Sequence, residues 1–324
     1  MRMVIRVAII GLGIMGRRML IHMQLHDHFA PLSLWDPDPA ACDAARALAP
    51  EAEIMTSADA AIRNSDLVYL ACPPAVRHDY AIAAAAAGKA LFLEKPFGIC
   101  IDASKALLDT LKSYDIPVAV NFTQAAGAAL TDCQKARDNK AMGTLVGVDI
   151  IVTYAAWPRE WQKQADWLRF SAEGGMTREV ISHFLFFTER ILGQLHLVWG
   201  RATYPDDPEL CETAILARLE TDDGKPVSIM ATVGGAQPDR QELTVKGSKS
   251  SRRIVDFHKD SSSDGDSFIP LRPLPQDPRA VSLKAQLDDL LALVQGRKTR
   301  LATIDEAFRV QCLVEAILSR SGHG

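Results

Sequence analysis

Four groups of residues in this chain have the types and spacing to do chemistry. Near the amino terminus, Gly11-Leu12-Gly13-Ile14-Met15-Gly16 follows the apolar run Val4–Ile10 and precedes a polar, helix-compatible stretch. A G-x-G-x-x-G placed between strand and helix is the turn that cradles a dinucleotide. Gly11 permits the tight bend, Gly13 lets the backbone approach a pyrophosphate, and Gly16 lets helix pack closely on strand. The backbone of Ile14 and Met15, at the positive end of the helix, offers N–H groups to the phosphates. Asp36 closes the next apolar segment about 20 residues beyond Gly16, where a carboxylate meets the adenosine ribose 2′-hydroxyl. A carboxylate there repels a 2′-phosphate, and Pro37-Asp38-Pro39 supplies no cation to hold one. NAD is therefore expected in preference to NADP. Asp38, just before Pro39, is better placed than Asp36 to cap the helix that follows.

The second group ends on Glu94-Lys95-Pro96, at the carboxyl end of a predicted strand, where open α/β sheets bind ligands. Proline holds the preceding lysine extended, and an apolar wall would lower its pKa towards proton transfer at neutral pH. Taken alone, a surface lysine after a strand reads the same way. In the third group, Glu179 and His183 are four residues apart and share one face of a helix. His183 reads as an acid/base or substrate ligand, or as a core histidine. The fourth places three of the five tryptophans, Trp157, Trp161 and Trp167, beside Arg159 and Arg169. Indoles suit sugar faces and aromatic substrates, and either arginine can fork onto a carboxylate. The same residues also suit an interdomain or oligomer interface.

Together these segments resemble the Gfo/Idh/MocA family of NAD(P)-dependent oxidoreductases. The resemblance is carried by Asp66, Val68, Ala71, Pro73, His78, Ala84, Ala87, Gly88, Lys89, Glu94, Lys95 and Pro96, joined to the glycine turn. It spans a Rossmann half, an open-sheet half and a closing helix at 304–320. It implies that Cys72, Pro73, His78, Glu94 and Lys95 join Gly11–Gly16 and Asp36 around the cofactor, that Lys95 lies in the active site, and that Pro96 follows a cis peptide. Two departures stand out. Where the family shows G-G-G-x-x-x-D-x-G-x-H, this chain keeps Gly174, Gly175 and His183, has Glu179 for the aspartate, and has Ile181 for the last glycine. Where relatives carry N-x-R-F, it reads Asn121-Phe122-Thr123-Gln124, so that Gln124 is either a neutral hydrogen-bonding group for substrate or cofactor, or a linker residue.

The activity so implied is hydride transfer between nicotinamide and a hydroxyl or carbonyl carbon of a sugar, polyol or sugar derivative. Lys95 or His183 would take the hydroxyl proton, Glu179 would orient the substrate, and Gln124, Trp157, Arg159 and Trp161 would line its site. Two other readings remain open: reduction of a carboxylated, amino-acid-derived or aromatic carbonyl or imine compound, and a non-catalytic NAD(H)-binding regulator.

A chain of 324 residues, 48% hydrophobic and 23% charged, predicts a folded globular protein of two domains. The expectation is a doubly wound parallel sheet over residues 1–123. A substrate-binding and oligomerising α+β domain with an open, mostly antiparallel sheet follows over 124–324, its last helix returning towards the Rossmann domain. A formal charge of −4 argues against nucleic acid or anionic membrane as partner. Six scattered cysteines without a C-x-x-C pair argue against a disulfide framework or metal site. The N-terminal run reads as a strand, not a signal peptide, and no stretch approaches the ~20 apolar residues of a membrane helix. A cytoplasmic protein is expected.

Helices are predicted at 39–48, 76–87, 102–114, 159–170, 176–192, 281–294 and 304–319. Ser261–Asp266 reads as a disordered loop. Alternating apolar residues in Ala214–Leu219 and Val227–Met230 predict a sheet face covered by a second subunit, in a homodimer or homotetramer.

Overall fold

The computed structural model describes residues 4–319. Contacts divide them into two compact units: the chain up to Thr123 together with Leu283–Phe308, and Gln124–Ser282 together with the chain from Arg309 onward.

The first unit alternates strand and helix: β1 (Ile5–Ile10), α1 (Ile14–Gln24), β2 (Phe29–Trp35), α2 (Pro39–Leu48), β3 (Glu53–Ile54), α3 (Ala58–Arg63), β4 (Leu67–Leu70), α4 (Pro74–Ala86), β5 (Ala90–Glu94), α5 (Ile101–Lys112) and β6 (Val118–Asn121). Its six strands are parallel in the order β3-β2-β1-β4-β5-β6. Strand order therefore reverses beside β1, and ligands of such sheets bind at that switch point. β4 and β5 are buried at every position, which is why they read as continuous apolar runs. Local signals set the helix starts. Asp38 accepts from the Ala40 N–H at 2.9 Å with Pro39 at the first helical position, and Ser57 accepts from the Ala60 N–H at 3.1 Å. The core gathers Val7, Ile9, Leu34, Tyr69 and Phe92, and is completed by Leu283, Leu287 and Leu290 from far along the chain.

The second unit contains α6 (Ala128–Asp138), β7 (Leu145–Tyr154), α7 (Ser182–Leu192), β8 (Leu195–Thr203), β9 (Ala214–Thr221), β10 (Pro226–Val233), β11 (Arg240–Gly247), β12 (Ser251–Val255), β13 (Lys259–Ser263) and β14 (Ile269–Pro270). Helix α8 (Pro278–Val294) and helix α9 (Ile304–Leu318) close the described chain, and Arg320, expected in the last helix, lies outside the described residues. The sheet order is β14-β13-β12-β11-β7-β10-β9-β8, antiparallel except where β7 meets β10. Strand β10 alternates buried Val227, Ile229 and Ala231 with outward residues, the period-two pattern of a sheet with one covered face. Helix α7 packs against β7 and is buried along almost its whole length.

Three local expectations are corrected. Ser261–Asp266 is not a disordered loop. Its first residues belong to β13, which pairs with β12, and the buried Asp260 is tied there by Arg252 and Arg272. The 159–170 helix is two short 3₁₀ turns, Glu160–Gln162 and Asp166–Arg169. Helix cannot propagate there because distant donors hold the carbonyls: Gly175 N–H and the Trp157 indole bond Leu168, and Cys211 N–H bonds Arg169. The 176–192 helix begins as a π-wound turn, Thr177–Ile181, before α7. Helices α3 and α6 and strands β12–β14 had no predicted counterpart.

Among the described residues, no helix is long and apolar enough to cross a membrane.

Candidate functional site

The first unit builds a phosphate cradle from backbone alone. Gly11 has φ of +95°, and a side chain there would run into the backbone of Ala71 and Cys72 at the end of β4. A side chain on residue 16 would overlap the carbonyl oxygen of Gly11. Gly13 differs: a Cβ added there meets nothing within 4 Å, so the space beside it is open. Gly13 is also the N-cap of α1, and no side chain caps that helix, leaving its first N–H groups, at Ile14, Met15 and Gly16, to a ligand. The Asp36 carboxylate lies against the same turn, accepting from Leu12 N–H at 2.6 Å and Asp38 N–H at 2.9 Å. Each oxygen keeps acceptor capacity for a ribose hydroxyl. A dinucleotide therefore fits these residues: they are closed where the fold must be tight and open where a pyrophosphate would lie.

Two strands along, the ends of β4 and β5 are tied by a residue that the motif reading passed over. Arg77, buried in the first turn of α4, donates to the Cys72 carbonyl at 2.6 Å and to the carbonyls of Glu94 and Pro96. Those last two flank Lys95, which is 9% exposed and precedes a cis peptide to Pro96. The main chain carrying Lys95 is thus clamped on both sides. Only a basic residue one position before His78 hinted at this. Glu94 is itself buried, and its Oε1 accepts from the Tyr69 hydroxyl and from Asn121 Nδ2 at 2.6 Å. Burial pushes this carboxyl above the ordinary range, against the opposing pull of Tyr69, Lys95, Arg77 and Asn121. Burial likewise raises the Cys72 thiol, which makes it a poor thiolate. Pro73 caps α4, whereas His78 is half-exposed and lies 3.1 Å from Asp79.

In the second unit, buried Glu212 holds the turn that presents Glu179 and His183. Its Oε1 accepts from the Thr177 N–H at 2.7 Å and hydroxyl at 2.6 Å. A side chain on Gly175 would strike the Glu212 carboxylate, and one on Gly174 the Leu168 carbonyl, so both glycines are demanded by close approach. Sequence reasoning missed Glu212, which no motif marks. The π-wound turn so anchored is a feature that recurs at functional sites. His183 is buried with its ring edge-on to Phe257, centroids 5.4 Å apart. Glu179 accepts from Gln162 Nε2 at 3.1 Å, and Gln162 accepts from Arg159 Nε at 2.8 Å, which links the motif helix to the tryptophan-rich segment. Trp157 is pinned by its indole N–H to Leu168 O at 2.9 Å. Gln124 is buried, and neither end of its side-chain amide has a hydrogen-bond partner among the described residues. No group of three or more His, Cys, Asp or Glu among the described residues could hold a metal ion.

Parallel sheet, switch point and open glycine turn define a dinucleotide-binding fold of the Rossmann type. Residues 5–122 match the family described as "Oxidoreductase family, NAD-binding Rossmann fold", a match confined to the first unit of the chain. Solved structures extend the fold likeness over nearly the whole chain. An oxidoreductase from Thermotoga maritima is 16% identical, with 98% of this chain and 97% of that chain covered and a TM-score of 0.84. The WlbA dehydrogenase from Bordetella pertussis, solved with NADH and UDP-GlcNAcA, is 20% identical, with 97% and 94% covered and a TM-score of 0.82. The scyllo-inositol dehydrogenase from Lactobacillus casei, solved with NAD(H) and scyllo-inositol, is 16% identical, with 97% and 96% covered and a TM-score of 0.79. At these identities the likeness is one of fold. No curated protein matches the sequence.

The two glycines of the turn are expected to fail differently. Gly13→Ala should leave the melting temperature without ligand unchanged but weaken NADH binding, read by fluorescence titration, because its methyl enters the ligand's space. Gly16→Ala should lower both, since the methyl displaces α1 from β1. Equal loss of thermal stability in the two variants would contradict this assignment.

Proposed function

We propose that this protein is an NAD-dependent oxidoreductase acting on a hydroxyl or carbonyl carbon of a sugar, polyol or sugar derivative. The observation that carries the reading is the open backbone at Gly13 over an uncapped α1, beside the Asp36 carboxylate, on a sheet whose β5 ends in the clamped Lys95. Inositol and nucleotide-sugar dehydrogenases among the structural neighbours support the substrate class.

Gly11–Gly16 would hold the pyrophosphate and Asp36 the adenosine ribose, while Cys72 and Pro73 close the floor of the site. When bound, the nicotinamide accepts or donates the hydride, and the protein supplies orientation and proton transfer. In the oxidising direction, Lys95 or His183 takes the proton from the substrate hydroxyl. Glu179, fixed by Gln162, orients the substrate. Trp157 and Trp161 offer ring faces to a sugar and exclude water. Gln124 supplies an amide to the cofactor or substrate, and Glu94, with Arg77, positions Lys95 rather than touching substrate.

Assembly follows from the sheet. Leu216 and Met230 are cross-strand partners on β9 and β10, each more than two-fifths exposed, with Trp199 also outward on β8. Covering this patch gives a homodimer or homotetramer.

Three outcomes are expected. In an NADH absorbance assay over sugars and polyols, Lys95→Met and His183→Phe should each lower turnover on the order of 10²–10⁴-fold, the usual worth of a positioned proton-transfer group, with cofactor binding retained. Near wild-type rates in both would overturn the assignment, and the larger loss identifies the proton acceptor. NAD(H) should bind more tightly than NADP(H). Asp36→Asn, which keeps an acceptor for Leu12 N–H but removes the charge, should narrow the gap, whereas equal affinities in the unmodified protein would refute the role of Asp36. Light scattering at micromolar concentration should give two or four times the chain mass, reduced by Met230→Glu. A monomer would sink the assembly proposal.

A further inference from the structure

The setting of Arg159 has a use that hydride transfer to a neutral sugar leaves unexplained. Its guanidinium carbon lies 4.8 Å from the ring centre of Trp161, 5.2 Å from Tyr154 and 5.8 Å from Trp157. Its Nε donates to Gln162, a buried amide that in turn donates to Glu179. No carboxylate among the described residues pairs with it, and both Nη groups remain to donate. A charge held by π faces and a neutral amide is rigid yet uncompensated. Arginine so arranged has lost its rotamer freedom in advance, and its fork matches two oxygens of one anion. An arginine that merely stapled the aromatic rings together would be stabilised further by an acid, and here an amide stands in that position.

A second observation points the same way. The Tyr154 ring is fully buried in the same cluster, and its hydroxyl has no hydrogen-bond partner among the described residues. Burial pushes that phenol well above its ordinary pKa, so it stays a protonated donor. A buried hydroxyl left unmatched is costly unless a ligand supplies the acceptor. The cluster therefore presents spare donors, the Arg159 fork and the Tyr154 hydroxyl, with no carboxylate bonded to either among the described residues, although Asp239, Glu179 and Asp256 lie near enough to Tyr154 to act on it electrostatically.

We propose that Arg159 and Tyr154 form an oxyanion subsite, so that the substrate is an acidic sugar or polyol derivative carrying a carboxylate or phosphate. This deepens the oxidoreductase reading and rests on it for the reaction, though not for the binding. Gln162 is a positioning residue in this scheme, since one amide fixes both the fork and Glu179.

Trp157 and Trp161 flank the fork, so intrinsic tryptophan emission can report occupancy without any turnover. Glucuronate, gluconate, glucose 6-phosphate and glucose are titrated at constant ionic strength with NADH present. At least one acid is expected to bind ~10-fold or more tightly than glucose, as a charge-assisted bidentate contact would give. The acid arms separate carboxylate from phosphate. Arg159→Gln should abolish the preference, Arg159→Lys should keep only part of it, and Tyr154→Phe should weaken the acid alone. Circular dichroism checks that each variant is folded. Equal binding of acids and glucose, or a preference that survives Arg159→Gln, overturns the subsite. NADH formation in parallel samples supplied with NAD+ separates the two proposals, because the hydroxyl-bearing probes need an oxidised cofactor to accept their hydride. Turnover of neutral sugars without acid preference sinks the subsite and leaves the oxidoreductase, whereas acid preference without turnover of any probe does the reverse.

Discussion

The carbonyl of Gly11 occupies the place that a side chain on residue 16 would take, and the first unit is organised around that contact. It lets α1 start directly against the end of β1, which brings the uncapped helix terminus to the sheet's switch point. The partial positive charge of that terminus falls off within a turn, so a looser junction would leave the N–H groups too far from any phosphate to matter. Asp36 reinforces the junction from β2 by accepting the Leu12 N–H. The same carboxylate thus shapes the turn and offers its remaining lone pairs to a ligand.

Buried polar groups hold the neighbouring strand ends. Arg77 spends its charge on three backbone carbonyls, and Glu94 is shared between Tyr69 and Asn121. Asn121 in turn accepts from Gln286 of α8 at 2.7 Å. Each link is expensive to leave unmade in a low-dielectric interior. The network therefore fixes β4, β5, β6 and α8 in one arrangement, with Lys95 carried at its rim. The raised carboxyl of Glu94 is the electrostatic mark of that burial.

The second unit repeats the device with different residues. Glu212 grips Thr177, while Arg178 meets Glu315 of α9 through two contacts of 2.7 Å and also bonds the carbonyls of Ser171 and Gly174. Removing one partner from such a buried pair costs more than the pair contributes, because it strands the other charge. The π-wound turn bearing Glu179 is held between these two anchors, so a departure from regular helix persists at a defined place.

Local chemistry alone determined much of this protein. The apolar runs of β1, β4 and β5, the helix start at Asp38-Pro39, and the glycine turn are written in period and residue type, because backbone sterics and burial act on neighbours in sequence. They specified the parallel sheet of the first unit and the place of the cofactor turn, and alternation in β9 and β10 specified the open second sheet. Tertiary structure decided what depends on partners distant in the chain. The polar segment around Ser261 became a strand only because β12 and the arginines at 252 and 272 were there to receive it. The 159–170 segment lost its helix to donors from Trp157, Gly175 and Cys211. Arg77, Gln162 and Glu212 were silent in the sequence for the same reason: their roles are hydrogen bonds to partners as distant as Thr177 from Glu212, and no spacing rule encodes a contact that exists only once the chain has folded.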